Sequence, residues 1–409
     1  MRVISEQRLA AVLGALPGTP RIVAGGNFAT PWRALAVADG AVAGYRLFVL
    51  NAQPGVPDRD GVILESPFVG PGMRGLARLR YFPCRLSLVP ALLAGPLAPD
   101  VVLVQTSAPA GGRVSLGTEV NILPAAIEAV RARGGLVIAQ LNSQVPHTYG
   151  DGELPDEMID YAIEAEAPLS SPPHRPAPEA AAVIGERVAA LIGDGATLQV
   201  GIGAVPDAVL AGLQARRGLT VWSEMFSDGV LGLAKAGALD MTQPVTASFA
   251  FGGADLYAWM DRNPDVRLLR TETVNDPARI AARPAMASVN GALQVDLHAQ
   301  ANGTWVRGRV HSGFGGQTDF VVGALHSPGG QAIIALPSWH PKADVSTVVP
   351  RLEGPATSFQ HSYIVSEQGT AVIWGHDERG QAEQIIEHVA HPSARERLRE
   401  AAQSFGPAR

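Results

Sequence analysis

A chain of 409 residues is longer than one ordinary core supports and points to two domains. Hydrophobic residues make up 46% and charged ones 17%, with a net charge of -6, a globular profile that excludes a nucleic-acid binder, which would be basic. The single cysteine, Cys84, excludes an internal disulfide framework and a cysteine-based zinc cluster; beside Pro83 it reads as a small apolar residue.

In chain order, Leu9, Val12, Leu13 and Leu16 follow the spacing of an amphipathic helix, and Glu6 and Arg8 argue against a signal peptide. No apolar run reaches the roughly eighteen residues of a spanning helix, so a soluble, cytoplasmic protein with no membrane partner is expected. Only two lysines, Lys235 and Lys342, stand against thirty arginines, so a phosphorylated ligand would mostly meet arginine. Arg74 in Gly70-Pro71-Gly72-Met73-Arg74 is one candidate, weighed against a plain surface arginine. Val101–Gln105 and Leu136–Gln140 read as buried parallel strands, joined by a crossover helix over Leu123–Arg133 that ends in Gly134-Gly135. Asn142 follows the second strand at a ligand-facing edge, and His147 is a local hydrogen-bonder or a ligand contact.

Ala167–Pro178 holds five prolines and reads as a linker. The same alternation then returns, with a helix over Ala180–Ile192, a strand at Thr197–Val200, a helix over Pro206–Gln214 and a strand at Leu219–Ser223. Ala332–Leu336 and Tyr363–Val365 are short strands, and Gln381–Ala402 is a helical tail broken at His391-Pro392. Alternating β and α segments predict an α/β protein of two open, largely parallel α/β domains, residues 1–175 and 176–409. Ligands in such folds sit beyond the carboxyl ends of strands.

Gly201-Ile202-Gly203-Ala204-Val205 leaves one strand, and Pro206 opens a helix whose first N–H groups would face a phosphate or an oxyanion. The next strand ends at Trp222-Ser223 and presents Glu224 at the same sheet edge. Two functional readings compete here. Gly201 and Gly203 begin a dinucleotide fingerprint with Glu224 at about the ribose-binding distance, but Pro206 stands where the third glycine should allow close packing. Alternatively, Glu224 is a nucleophile beside an oxyanion-binding loop; the bland reading is a strand-end carboxylate that caps or pairs. A second glycine loop, Gly313, Gly315 and Gly316 followed by Gln317 and Asp319, could add backbone donors or be a surface turn with an aspartate cap. Asp228 and Asp319 either orient Glu224 or cap the helices they precede. His311 and His340 lack metal-ligand spacing, so no metal site is expected.

These residues resemble the acetyl-CoA hydrolase/transferase group of coenzyme A transferases, which includes 4-hydroxybutyrate and acetate CoA-transferases. The similarity runs through SPFVGPGMR (66–74), PDVVLVQTSAP (99–109), SLGTEVN (115–121) and AQLNSQVPHTYGDG (139–152). It continues in LQVGIGAVPDAVL (198–210), SEMFSDGV (223–230), NGALQVDLHAQ (290–300), SGFGGQTDFVVGA (312–324) and IIALPS (333–338). The resemblance implies two α/β domains of the coenzyme A transferase type, the second carrying the catalytic glutamate, usually in a homodimer. It implies Glu224 as nucleophile, with the loops around Gly201, Gly203 and Gly313 lining the acyl and CoA site. Backbone N–H groups of Val205 and of Gly315 or Gly316 would bind the oxyanion. The implied partners are acyl-CoA, as a substrate, and small carboxylic acids, with no tightly bound cofactor.

Where the family has S-P-P-D after the 101–105 strand, this chain has Ser107-Ala108-Pro109-Ala110. Its T-T-P-R and V-T-E-Y-G runs read Thr357-Ser358-Phe359-Gln360 and Val365-Ser366-Glu367-Gln368-Gly369, without the Arg and Tyr. These departures bear on substrate preference. The expected function is a short-chain CoA-transferase. An acetyl-CoA hydrolase on the same site, a non-catalytic CoA-binding protein and a nicotinamide oxidoreductase are the alternatives.

Overall fold

The computed structural model describes residues 1–172, 178–354, 356 and 360–403. The chain forms two compact units that are not two continuous stretches. The first takes Met1–Pro172, Pro244–Val274 and Val310–Gly315, and the second takes Pro173–Gln243, Asn275–Arg309 and Gly316–Arg409. The expected boundary between 175 and 176 lies outside the described residues, as do Thr357, Ser358 and Phe359.

In the first unit eight parallel strands form one sheet. They are β1 (Arg2–Val3), β2 (Arg21–Ala24), β3 (Tyr45–Phe48), β4 (Val62–Ser66), β5 (Leu79–Tyr81), β6 (Val101–Thr106), β7 (Leu136–Leu141) and β8 (Tyr161–Glu164), in the order β1-β8-β7-β6-β2-β3-β4-β5. The two strands read from their apolar runs are the interior neighbours β6 and β7, each one residue longer than expected. Val101 to Val104 are fully buried because both faces of a parallel sheet are covered. Helix α1 (Glu6–Gly14) starts at Ser5, whose hydroxyl accepts the Arg8 N–H, and turns Leu9 and Leu13 inward. They pack with Ala34, Leu35 and Ala38 of α2 (Trp32–Ala41) and with Ile22, Leu47 and Leu103 of the sheet. Helix α3 (Leu123–Ala132) is the crossover between β6 and β7.

The second unit has a six-stranded sheet of β9 (Thr197–Val200), β10 (Thr220–Val221), β11 (Met286–Gly291), β12 (Gln331–Ala335), β13 (Tyr363–Val365) and β14 (Thr370–Val372). Their order is β10-β9-β11-β12-β13-β14, parallel except for the edge strand β14. Helix α4 (Glu179–Leu191) packs on α5 (Ala204–Gly212) so closely that a methyl group at Gly185 would run into Ala208. Helix α6 (Asp228–Lys235) and helix α7 (Gln317–His326) follow. The tail forms α8 (Glu378–His388) and α9 (Pro392–Ala402), divided at His391-Pro392, and buries Ile385, Ile386 and Leu398 against Ile334, Leu336 and Ile364.

Three local expectations need correction. Helix α5 begins at Ala204 rather than Pro206, because Gly203 (φ 118°, ψ 177°) makes the turn and leaves Pro206 in the first helical turn, where an N–H is still dispensable. The strand expected over Leu219–Ser223 keeps ladder pairing only at Thr220 and Val221, because it lies at the sheet edge beside the short β9. Asp228 is the first residue of α6, and Ser227 occupies the cap position.

Candidate active site

The winding of each sheet picks out one crevice. In the second unit β10 lies on one side of β9 and β11 on the other, so the chain reverses its winding between β9 and β11. Loops leaving adjacent strands in opposite directions open a cleft at their carboxyl ends. Gly201 to Gly203 leave β9 at that point. The first hydrogen bond into α5 joins the Asp207 N–H to the Gly203 carbonyl at 2.9 Å, so the N–H groups of Ala204 and Val205 lie ahead of the helical ladder. They form the positive end of the helix.

Glu224 follows β10 and is fixed by its neighbours. The Trp222 N–H reaches the Leu198 carbonyl at 3.1 Å, and Ser223 Oγ lies 3.4 Å from both the N and the O of Val200. The Arg283 guanidinium covers the Trp222 ring at 3.9 Å, so Trp222 is a packing anchor with a cation on its face. The residue keeps part of its surface, but the carboxylate is surrounded by protein. Asn275, fully buried, donates from Nδ2 to Glu224 Oε2 at 2.9 Å. The Gly316 N–H donates to the same carboxylate. Gly316 also caps α7, whose Phe320 N–H reaches its carbonyl at 3.0 Å, so the carboxylate lies at the positive end of that helix. Buried Asp319 lies in the first turn of α7 and acts on Glu224 as a like charge.

These influences oppose one another. Desolvation is the largest and raises the Glu224 pKa, and Asp319 adds to it. The hydrogen bonds from Asn275 and Gly316 pull it down, and the balance leaves it raised from 4.5 to about 7. A carboxyl group of that kind is a stronger base and nucleophile than an ordinary one, and is half ionised near neutrality.

The second glycine loop is buried rather than a surface turn. Its first part belongs to the first unit: a methyl group at Gly313 would overlap the Pro67 carbonyl, and Gly315, at φ +54°, lies against the Phe68 ring. The chain enters the second unit at Gly316, which touches Glu224. Among the expected site residues the structure therefore joins Glu224 to Gly316. Asp319 stands beside them, and Val205, Gly201 and Gly203 lie at the crevice of the same sheet.

Asn142 and Arg74 belong to the first unit. Asn142 is fully buried and engaged, donating to the Ala167 carbonyl at 2.8 Å and accepting the Gln144 N–H at 3.0 Å. Arg74 is an exposed residue whose Nε donates to the His311 carbonyl at 2.7 Å. Sequence reasoning missed Asn275. It also assigned no role to Glu119, a buried carboxylate in the 115–121 run whose two oxygens each accept from Asn27 Nδ2 at 2.8 Å. Asn27, Asn51 and Asn121 all take left-handed backbone (φ 44°, 45° and 42°), a signal visible only in the folded chain. Among the described residues no cluster of three or more His, Cys, Asp or Glu could hold a metal ion, and no helix is long and apolar enough to cross a membrane.

The acetyl-CoA hydrolase/transferase N-terminal domain matches residues 60–169 and the acetyl-CoA hydrolase/transferase C-terminal domain matches residues 252–402. The chain is 39% identical over 335 residues to the 4-hydroxybutyrate coenzyme A transferase of Clostridium kluyveri, covering 78% of this chain and 76% of that one. It is 36% identical over 340 residues to a succinyl-CoA:acetate/propanoyl-CoA:succinate CoA transferase of Fasciola hepatica, covering 80% and 70%. The crystal structure of RipA from Yersinia pestis superposes with a TM-score of 0.89 at 27% identity, covering 98% of this chain and 97% of that one.

Proposed function

The chain belongs to the acetyl-CoA hydrolase/transferase family, and on that premise we propose that it exchanges coenzyme A between a short-chain acyl-CoA and a free carboxylate through a glutamyl-CoA thioester on Glu224. What carries this reading is the Glu224 carboxylate, held by Asn275 and the Gly316 N–H, with its pKa raised to about 7.

Ionised Glu224 attacks the thioester carbonyl, the C–S bond breaks, and an acyl-glutamyl anhydride forms as CoA leaves as thiolate. The thiolate attacks the glutamyl carbonyl, giving glutamyl-CoA and releasing the first acid as its carboxylate. An acceptor carboxylate then attacks glutamyl-CoA, and the same two steps in reverse release the new acyl-CoA and restore Glu224. No net proton is taken up or lost, so the cycle asks of the protein an ionised Glu224 and donors for each oxyanion. The Gly316 N–H already lies at a Glu224 oxygen and stays at that oxygen when the glutamyl carbon becomes tetrahedral. In this proposal the Val205 N–H serves the acyl carbonyl, with Gly315 as a second donor, and the Gly201–Gly203 and Gly313 loops line the CoA path. Acyl-CoA and carboxylic acids are the small-molecule partners of a homodimer without a resident cofactor. A hydrolase would differ only in letting water take the glutamyl thioester.

Intact-protein mass spectrometry after acyl-CoA and borohydride tests the proposal. Reduction of a glutamyl thioester to the alcohol lowers the wild-type mass by about 14 Da and leaves Glu224→Ala unchanged. A wild-type mass that stays constant across several acyl-CoAs would remove Glu224 as the nucleophile. CoA released without a new acyl-CoA would identify a hydrolase.

A further inference from the structure

The two runs that carry the proposed Glu224 chemistry, 200–210 and 223–229, both belong to the second unit and touch at three places, one before the glutamate and two after it. Before it, Ser223 Oγ lies 3.4 Å from the N and the O of Val200. After it, the Ser227 hydroxyl donates to Asp207 Oδ1 at 3.3 Å. Two residues further on, a methyl group at Gly229 would overlap Leu210, so α6 starts in direct contact with α5.

The middle contact is the one that local rules do not explain. Ser227 occupies the cap position of α6 with extended backbone (φ −124°, ψ −175°), where a serine ordinarily accepts an N–H of the first turn. Its side chain makes no such bond. Ser227 is buried, and its hydroxyl is turned to Asp207 instead. Asp207 lies in the first turn of α5, where the helix dipole favours a carboxylate. Loss of water raises its pKa, the Ser227 hydroxyl lowers it and the like charge of Asp228 raises it again, leaving it above the ordinary aspartate value. A serine that forgoes its cap and a carboxylate held beside another acid both run against local preference. Such exceptions gather where a site needs the geometry.

The bond joins the two parts that the chemistry must hold together. Asp207 stands two residues beyond Val205 in the first turn of α5, and its own N–H closes the first bond of that helix on the Gly203 carbonyl at 2.9 Å. Ser227 stands three residues beyond Glu224, at the end of the turn that leaves it.

We propose that Asp207 and Ser227 are positioning residues whose hydrogen bond locks the turn after Glu224 to the helix end that carries the Val205 N–H, and so sets the spacing between nucleophile and oxyanion donor. This rests on the reading of Glu224 as nucleophile. Steady-state kinetics of Asp207→Ala, Ser227→Ala, the double variant and Asp207→Asn, each scaled to folded protein, test it. Each alanine variant lowers kcat about tenfold and leaves KM for acyl-CoA unchanged, because a displaced donor is felt in the transition state and not in substrate binding. The double variant is no slower than either single one, since both remove the same bond. Asp207→Asn keeps an oxygen that can accept from Ser227 and retains the wild-type kcat. A bond that serves folding alone would lower the thermal midpoint and leave kcat per folded molecule untouched. That result overturns the proposal, as do effects that multiply in the double variant or an Asp207→Asn as slow as Asp207→Ala. If Ser227→Ala, at a buried side chain, fails to fold, the two Asp207 variants, at a partly exposed one, decide. Failure of the Glu224 reading is seen separately, in the wild type, as a missing borohydride mass loss. Failure of the positioning role leaves that mass loss in place and gives Asp207→Ala the wild-type kcat.

Discussion

Glu224 and Gly316 lie in such close contact that a methyl group at position 316 would overlap Glu224 Oε2 and Asn275 Nδ2 together. Gly316 has an ordinary backbone (φ −95°), so glycine is required there for space and not for conformation. Gly316→Ala is therefore expected to displace the carboxylate and cut CoA-transfer turnover by on the order of 100-fold or more. The same substitution should lower the thermal midpoint, and Glu224→Ala should recover part of that loss by removing the colliding group. Additive effects of the two substitutions on the midpoint would show that the collision is not what constrains position 316.

Asn275 holds Glu224 Oε2, the oxygen proposed to react, through one hydrogen bond of 2.9 Å that is charge-assisted when the carboxyl is ionised. Asn275→Ala removes a donor that lowers the Glu224 pKa, so the pKa moves further above 7 and the rising limb of the rate–pH profile shifts to higher pH. Loss of a hydrogen bond to a charged group, about 1.5–3 kcal/mol, predicts a roughly 10- to 100-fold drop in kcat near neutrality. A merely structural Asn275 would reduce folded protein without moving the profile.

Asp319 pushes in the opposite direction. Asp319→Asn keeps the shape of the side chain and removes the like charge, so the Glu224 pKa falls and the rising limb shifts to lower pH. Kinetic pH profiles of the two variants, run side by side with wild type, check the pair of signs. A shift in the same direction for both would refute the electrostatic account of the site.

The parts of this site that follow local rules were legible in the chain. Val101–Gln105 reads as a strand because a parallel sheet buries both faces and needs an unbroken apolar run. Glu224 stands out as a candidate from the glycine loops on either side of it in sequence, together with a resemblance spread over the whole chain. Asn275 does not, because it precedes Asp276-Pro277, where an asparagine reads as turn chemistry, and its partner is 51 residues away. The same limit hid the division into units. Periodicity identifies Val245–Ala247 and Val266–Leu268 at most as short strands, and cannot show that they pair in the first unit alongside Tyr149–Gly150. His147 reads from the sequence as a local hydrogen-bonder or a ligand contact; its ring lies against Glu153 at 3.3 Å, a pairing visible only in the folded chain.

The raised Glu224 pKa also has a cost in stability, with a definite sign. Below about pH 4.5 the carboxyl is protonated in both folded and unfolded chains and contributes no difference. Between 4.5 and about 7 the unfolded chain gives up the proton while the folded chain keeps it, so stability falls as pH rises through this window. Above about 7 both are ionised and the full penalty is present, on the order of 3 kcal/mol for a shift of this size. Glu224→Gln keeps a group that can accept from Asn275 and carries no charge, so it should be more stable than wild type at pH 8 by on the order of 2 kcal/mol. That advantage should shrink on acidification and vanish near pH 4.5. Urea midpoints of the two proteins at pH 4.5, 6 and 8 provide the check, and a difference that does not change with pH would mean that Glu224 titrates as an ordinary surface carboxylate.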